Sequence, residues 1–535
     1  MSAVVLGRSR GVRLCSTLVA ALLVLVACAG GPGAAGTGKS RTLVMAIGAD
    51  PTGWSPAVSL ANQFNGCIVY EGLVSVGAKG EPLPALARSW TVSPDGLTYT
   101  FQLQKTQWTD GKPFTSADVK YTIENVTSKL SSLFARAAKV ITSVEAPADD
   151  QVVLHLSAPY SPMLASLSCG VGGEVLPKHL LENAGDIKQN PIVTSKPVGT
   201  GPFMMQSYER GNQITFVRNP HYWDPGKPYI DTLIAKIIPD PSTAVAALQR
   251  HEINYIFFAY FRSSSYAAIE ADKSLKLVEF RAGGSDDLLM FNTKRTPFEN
   301  ATVRQALFRG IDRDYIGKAV FHDRGQVGIS SIEPVLANAY DPAVDYRTMY
   351  PFDAAKAGQL LDQAGYPVKD GKRFSAKILV NAAQADYVSY AQVVVQQWKA
   401  IGVDATLSVV PAAAFPGEAF QKLDFDVLVQ GYGTYQNPIL GVARQFVSSS
   451  IGQSFGNASQ YSNPEVDQLF QQAQQAIDDT AARPAYARIQ QIIARDLPSF
   501  PVYQPGFFDA ASASLTGLWD GTFFPTWPSA KLADG

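Results

Sequence analysis

The sequence predicts an α/β protein with at least two lobes. Its 535 residues exceed the roughly 100–200 residues that one hydrophobic core usually serves. Hydrophobic residues make up 46% and charged residues 17% of the chain, a composition typical of a globular protein. In the second half, residues 374–380 form a short apolar run, and residues 387–401 repeat apolar side chains at helical spacing. Residues 403–409 then alternate between apolar and polar side chains. Together the three segments predict a strand, a helix and a second strand, which is a βαβ unit.

The first half of the chain predicts a strand followed by a helix. Residues 98–103 alternate between polar and apolar after a turn at residues 94–96, which indicates a half-buried strand. Thr115 with Asp118 three residues later resembles a capping box. We therefore expect a helix to begin there, with its buried stripe on Val119, Ile123 and Val126.

Further helix ends are predicted in the second half. Gly402 stands where a left-handed residue would end the helix of the βαβ unit. Residues 425–429 are apolar enough for another strand. Asn463 followed by Pro464 predicts a helix start, because asparagine caps well and proline fits the first helical position. A last helix is expected to end before Pro498.

The N-terminus predicts export and a lipid anchor. Arg8, Arg10 and Arg13 precede an apolar run at residues 18–26, which is too short for a spanning helix of about 20 residues. Ala27 and Cys28 follow, and this segment resembles the lipobox of bacterial lipoproteins, in which the cysteine is diacylated. We expect a signal peptide at 1–27 and a lipidated tether at 28–40. The alternative is an ordinary signal peptide that contains a cysteine.

Two cysteines remain for the mature body. Cys15 lies in the predicted signal peptide and Cys28 is the predicted lipidation site, which leaves Cys67 and Cys169. A pair of cysteines outside the cytosol is more often bridged than free. The prediction is therefore a Cys67–Cys169 disulfide, and the alternative is two buried thiols.

The sequence offers no pattern for catalysis, metal binding or nucleic-acid binding. The formal net charge is −1, which gives no electrostatic case for nucleic acid. The five histidines have no second histidine or cysteine at ligand spacing, so we expect no metal and no cofactor. Neither a nucleophile elbow nor a phosphate loop is present. We expect no enzyme, although a Ser/His/Asp set assembled by the fold stays open.

A series of short motifs is similar to one family of binding proteins. The motifs occupy residues 86–90, 93–101, 110–119, 177–179, 197–203, 219–223, 291–293, 303–306, 311–313, 364–366 and 461–467. In this order they resemble family 5 of the bacterial extracellular solute-binding proteins, which includes the oligopeptide-, dipeptide- and nickel-binding lipoproteins of ABC importers. Most of these residues are expected to be scaffold. Arg304 and Asp312, for example, are expected to form an ion pair.

The resemblance implies a two-lobed periplasmic-binding-protein fold of type II, in the large peptide-receptor class with an inserted subdomain. Lobe one would comprise residues 41–81, 196–287 and 500–535. The inserted subdomain would comprise 82–195 and lobe two 288–499. Two strands would cross between the lobes, and such a cleft can hinge and close over a ligand.

The resemblance also implies a function. The chain would be a monomeric receptor, anchored by lipid to the outer face of the cytoplasmic membrane or on the periplasmic side. It would deliver a peptide or another small molecule to ABC permease subunits. A sensory or surface-interaction lipoprotein on the same scaffold is the second hypothesis, and a hydrolase is disfavoured by the absent motifs.

The expected ligand site departs from the peptide receptors. In those proteins a strand of lobe two ends in a motif resembling Gly-Trp-x-x-Asp-x-x-(Asp/Glu)-Pro, and its first acid pairs with the amino terminus of the peptide. The matching residues 431–438 contain no acid, and residues 381–384 contain no Arg or Lys. We therefore predict a peptide-like or neutral polar solute without a free amino terminus. The candidate ligand-binding residues are Ser59, Asn62 and Phe64 in lobe one and Asn381, Tyr432, Thr434, Tyr435, Gln436 and Asn437 in lobe two, and the alternative for each is a turn or core role.

Overall fold

The structure is a computed structural model that describes residues 41–533, apart from a few short segments. The segments left out are 52, 56, 59–66, 78–79, 132–133, 258–259, 261–262, 281–284, 436, 478 and 520–524. The predictions for residues 1–40, which include Cys28, lie outside the described residues. So do those for Ser59, Asn62, Phe64 and Gln436.

The first sheet is mixed and contains seven described strands. In spatial order they are Leu275–Phe280, Phe507–Ser512, Tyr255–Ile256, Thr42–Ile47, Thr232–Ile237, Gln213–Arg218 and Phe203–Glu209. The strand Thr42–Ile47 pairs in parallel with both of its neighbours, and the outer strands pair antiparallel. Alternate residues of the central strand are buried, among them Leu43 and Met45, so this sheet carries its own core.

The second sheet contains six described strands. In spatial order they are Gly325–Val327, Ser499–Pro505, Ser285–Phe291, Val427–Gly433, Phe374–Asn381 and Val403–Val410. Its centre is apolar because Leu289 pairs with Val429 on one side and with Phe500 on the other. The chain passes between the two sheets twice, after Phe280 and again at Gly506.

A third sheet lies within the first 160 residues and is antiparallel. Its four described strands, in spatial order, are Ala87–Val92, Thr98–Leu103, Gln151–Leu156 and Ile141–Ala148. Two small strand pairs join Val74–Val76 to Pro82–Pro84 and Leu515–Thr516 to Lys531–Leu532. Tyr99, Phe101 and Leu103 are buried on one face, as the alternating pattern predicts.

Helices cover the sheets and fill the connections. The described α-helices are Ser116–Tyr121, Ser128–Leu130, Ala135–Val140, Met163–Ser166, Lys178–Leu181, Pro191–Thr194, Pro241–Gln249, Tyr266–Glu270, Ala301–Arg309, Arg313–Ala319, Tyr346–Met349, Ala354–Gln363, Ala385–Ala400, Pro438–Gly441, Ala443–Phe446, Pro464–Gln474 and Asp479–Asp496. π-helical turns occupy Thr122–Thr127 and Gly417–Lys422, and 3₁₀ turns occupy Ile187–Gln189, Ser263–Ser265, Ser448–Ser450 and Trp527–Ser529. Among the described helices, none is long and apolar enough to cross a membrane.

The βαβ unit is confirmed. Strands Phe374–Asn381 and Val403–Val410 pair in parallel, and helix Ala385–Ala400 connects them. Gly402 has φ of 84°, so glycine relieves the steric cost of a left-handed turn at the helix end. The Asn463 cap is also confirmed, since its Oδ1 accepts a hydrogen bond from the Glu465 amide at 3.0 Å.

Two local predictions need correction. The capping box at Thr115 forms, but the α-helix ends at Tyr121 and continues as a π-helical turn at Thr122–Thr127. The ion pair between Arg304 and Asp312 is wrong. Arg304 donates to the backbone carbonyls of Phe298, Asp496 and Leu497, and Asp312 caps the next helix by accepting from the Tyr315 amide at 2.9 Å. The buried guanidinium thus binds carbonyls at the end of the last helix, where the helix dipole favours a cation.

Candidate functional site

A cavity of about 250 Å³ lies among residues that approach from widely separated parts of the chain. We call it the Tyr435 cavity. Glu71 and Trp223 line it from the connections of the first sheet, Val171 from the segment after the third sheet, and Tyr435 from the end of a strand of the second sheet. Pro528 adds a wall from the C-terminal segment. This convergence of segments that are far apart in the chain makes the cavity the candidate site.

Tyr435 is held in a special position. It follows strand Val427–Gly433 and has φ of 48°, a left-handed conformation that is uncommon for a tyrosine and clusters at functional sites. The Arg444 guanidinium lies 5.2 Å from the centre of the Tyr435 ring and 5.1 Å from that of Tyr432. Arg444 also donates to the Gly441 carbonyl at 3.2 Å. Stacking between a cation and two rings therefore fixes the orientation of Tyr435.

Glu71 is the acid that the sequence analysis missed. Its Oε1 accepts hydrogen bonds from Trp223 Nε1 at 2.9 Å and from the Tyr222 hydroxyl at 3.2 Å. Burial raises the pKa of the Glu71 carboxyl to about 7, and Asp224 adds to the increase while the hydrogen bonds oppose it. The signal in the sequence was an acid between apolar residues at 68–74. A buried carboxyl of this kind needs partners, and the motif at residues 219–223 supplies them.

The remaining charges on the wall of the cavity neutralise each other. Lys227 Nζ lies 3.0 Å from Asp224 Oδ2. Ser168, another lining residue, donates its hydroxyl to the Ala165 carbonyl at 2.7 Å. Such internal pairing leaves Val74, Val171 and their apolar neighbours to form most of the wall.

The other described candidate residues have local structural roles. Tyr432 is 1% exposed, and its hydroxyl donates to the Gly456 carbonyl at 2.6 Å. Thr434 is fully buried. Asn437 caps helix Pro438–Gly441, and Asn381 accepts from the Ala383 amide at 3.0 Å in a turn. These are the core and turn roles that the sequence analysis left open as alternatives, and ligand contact by these residues stays a prediction.

Cys67 and Cys169 meet beside the cavity, and both line it. Their Sγ atoms are 2.11 Å apart and their Cα atoms 5.8 Å apart. This placement agrees with the predicted disulfide, and the redox state of the pair stays a prediction.

A second set of contacts joins the third-sheet region to the second-sheet region. Arg136 donates from Nη1 to the Ile439 carbonyl at 2.9 Å and from Nη2 to the Ser450 hydroxyl at 3.4 Å. Ser161 donates from its amide to the Gln474 carbonyl at 2.8 Å and from its hydroxyl to Ala473 at 3.1 Å. The contacts of Arg136 and Ser161 therefore connect the two regions. They link residues about 300 positions apart along the chain.

Further contacts join residues that connect strands of the first sheet to residues of the second-sheet region. Arg324 pairs with Glu270, and the Ser263 hydroxyl lies 3.4 Å from Asp386 Oδ1.

Among the described residues, no group of three or more His, Cys, Asp or Glu side chains comes close enough to hold a metal ion. What the cavity offers is a shaped wall and hydrogen-bonding groups, which suits binding.

Comparison with known proteins identifies the family. The profile of "Bacterial extracellular solute-binding proteins, family 5 Middle" matches residues 81–454. The chain is 28% identical over 537 residues to the oligopeptide-binding protein AppA of Bacillus subtilis, with 95% of this chain and 96% of AppA covered. It is also 28% identical over 549 residues to heme-binding protein A of Haemophilus influenzae, with 95% and 96% covered.

Solved structures agree with this result. AppA from Bacillus subtilis in complex with a nonapeptide matches with a TM-score of 0.76 and 27% identity, covering 92% of this chain and 100% of AppA. NikZ from Campylobacter jejuni in complex with Ni(L-His) matches with a TM-score of 0.76 and 26% identity, covering 91% and 97%. The fold is therefore the two-lobed α/β fold that the sequence predicts. These relatives are extracytoplasmic binding proteins and not enzymes, and the chain belongs to family 5 of the bacterial extracellular solute-binding proteins.

Proposed function

We propose that this chain is the lipid-anchored receptor of an ABC importer and that it closes two lobes over a peptide-like or neutral polar solute. The observation that carries the proposal is the Tyr435 cavity, whose wall combines segments from the N-terminal region, from residues 165–171, from residues 222–227 and from the end of a strand of the second sheet. A relative with nearly full coverage, AppA, is described with a bound nonapeptide, which supports a peptide-like ligand.

The proposal includes the lobe boundaries. Lobe one comprises 41–81, 196–287 and 500–535, the inserted subdomain 82–195, and lobe two 288–499. The strands of the third sheet all fall within 82–195. Two strands of the second sheet, at residues 285–291 and 499–505, straddle the boundaries, which supports a hinge with two crossing strands.

The absence of a free amino terminus in the ligand follows from the charges beside Tyr435. Residues 431–438 carry no acid, and the cation Arg444 lies against the Tyr435 ring. Glu71 lines the same cavity, but burial raises the pKa of its carboxyl to about 7. Burying a ligand ammonium without a carboxylate is costly. A neutral group is therefore favoured at this end of the cavity.

The anchor and the partners complete the proposal. Cys28 is the site of diacylation, which holds the receptor at the outer face of the membrane. The receptor acts as a monomer and delivers its solute to the permease subunits of the importer. The two acyl chains of the diacylglyceryl group hold the body at the membrane through residues 28–40.

Calorimetry with ordinary di- to pentapeptides and their N-acetylated forms tests the ligand class. We expect acetylated peptides to bind at least as tightly as the free-amine peptides. Small-angle scattering should show a smaller radius of gyration when a bound peptide closes the lobes. Tight binding of free-amine peptides that is lost on acetylation would contradict the neutral preference, and chemical conversion of the peptide would contradict the receptor function.

A further inference from the structure

We infer that the Tyr435 cavity binds an uncharged apolar group of the ligand, about the size of an aromatic or branched aliphatic side chain. This inference rests on the proposed receptor function and names the chemistry that the cavity accepts. It adds an apolar anchor to a ligand whose polar groups lie elsewhere in the cleft.

The volume of the Tyr435 cavity limits the size of the ligand group that fits into it. An engineered apolar cavity of about 150 Å³ in another protein stays dry and binds benzene. The Tyr435 cavity measures about 250 Å³, so an aromatic ring or a branched aliphatic chain fits with room for its linkage.

The residues of the cavity wall indicate the polarity of the group that binds there. Val74, Val171, Leu440 and Pro528 contribute aliphatic surface, and the Tyr435 ring adds aromatic surface. Val74 is fully buried, and Val171 and Leu440 are less than a tenth exposed. An apolar group placed against such a wall gains most of its transfer free energy from water.

The charges on the wall argue against an ionic occupant. Asp224 and Lys227 pair with each other at 3.0 Å. Oε1 of the Glu71 carboxyl accepts from Tyr222 and Trp223, its Oε2 is buried without a hydrogen-bond partner, and burial raises the pKa of this carboxyl to about 7. An anion would therefore find no unpaired cation among the described wall residues, and an ammonium would find only a carboxyl that is largely protonated below about pH 7, so losing water is costly for either charge.

Bromobenzene tests the cavity directly, because its bromine gives an anomalous signal in crystals. We expect an anomalous peak bounded by Val171, Trp223 and Tyr435. In solution, calorimetry should show that benzylamine and benzoate, which are charged analogues, bind roughly ten- to a hundredfold more weakly than bromobenzene. Val171→Phe fills the cavity and should weaken bromobenzene binding at least tenfold. Ala414→Leu, at an exposed position away from the cavity, should leave binding unchanged.

The crystal result on the unmodified protein keeps the inference testable if Val171→Phe fails to fold. An empty cavity at saturating bromobenzene, or equal binding of benzylamine, would overturn the inference. If a peptide closes the lobes but bromobenzene does not enter the cavity, this inference is refuted and the proposed function is not. Bromobenzene in the cavity together with no closure on any peptide tested would support the inference and count against the proposed function.

Discussion

Replacing Arg136 should weaken the closed form of the protein. Arg136 contributes one hydrogen bond of good length to lobe two, from Nη1 to the Ile439 carbonyl at 2.9 Å, and one long bond to Ser450 at 3.4 Å. A hydrogen bond to a charged group contributes about 1.5–3 kcal/mol when it is buried. Because the side chain is only half-buried and water replaces part of the interaction, we take the lower end, about 1.5 kcal/mol. In Arg136→Gln the shorter side chain loses both bonds.

A loss of about 1.5 kcal/mol from the closed state corresponds to about tenfold in the closed-to-open equilibrium. Peptide affinity should therefore fall by up to about tenfold in Arg136→Gln, and the radius of gyration without ligand should rise. Calorimetry and small-angle scattering measure these two quantities. Lys139→Gln is the matched control, because Lys139 lies on the same helix, Ala135–Val140, and is exposed. Unchanged affinity and radius in Arg136→Gln, or equal effects in both variants, would refute the reasoning.

Three further predictions concern buried acids, the anchor and the cysteines. Burial raises the pKa of Glu71 and of Glu174 to about 7, so each acid stabilises the fold fully below about pH 4.5, and this contribution is lost as pH rises through about 7. Between pH 4.5 and 7.5, Glu71→Gln should reduce the change in the free energy of unfolding by about 3 kcal/mol. Chemical denaturation at the two pH values measures this change, and the same change in the variant as in the unmodified protein would contradict the prediction. Cys28→Ser should release the protein from the membrane fraction, and retention would exclude the anchor. Thiol titration of the unfolded, unreduced mature protein should find no free thiol at Cys67 or Cys169. The disulfide would close a loop of 102 residues and should contribute about 2–5 kcal/mol to stability.

Local pattern was enough to predict three of the six described strands of the second sheet, at residues 374–381, 403–410 and 427–433. The helix of the βαβ unit ends at Gly402 and the next long helix starts after Asn463, because caps and turns depend on neighbouring residues. The strand at residues 98–103 was also predictable, since alternation with a period of two is a local property. These features needed no knowledge of distant residues.

The site depends on contacts that are distant in the chain, and this is why much of it was missed. Glu71 receives its hydrogen bond from Trp223, 152 residues away, and the Arg136 contact spans 303 residues. No local pattern encodes such pairs. Burial of an individual tyrosine likewise depends on distant residues, as Tyr432 shows. Its hydroxyl is buried against the Gly456 carbonyl.

The absence of an acid from residues 431–438 and the position of Arg444 both support the proposed ligand without a free amino terminus. The guanidinium lies 5.2 Å from the centre of the Tyr435 ring, so an ammonium on the opposite face would sit about 9 Å from it. At an effective dielectric constant of about 20, two like charges at this distance repel by about 2 kcal/mol. An aspartate among residues 431–438 would attract the ammonium, whereas this segment contains no acid and Arg444 adds a repulsion. The carbonyls of Gly433 and Gly441 accept hydrogen bonds from Arg444 and hold its charge in place. These charges therefore support the proposal that the ligand places a neutral group against Tyr435 and an apolar group in the cavity.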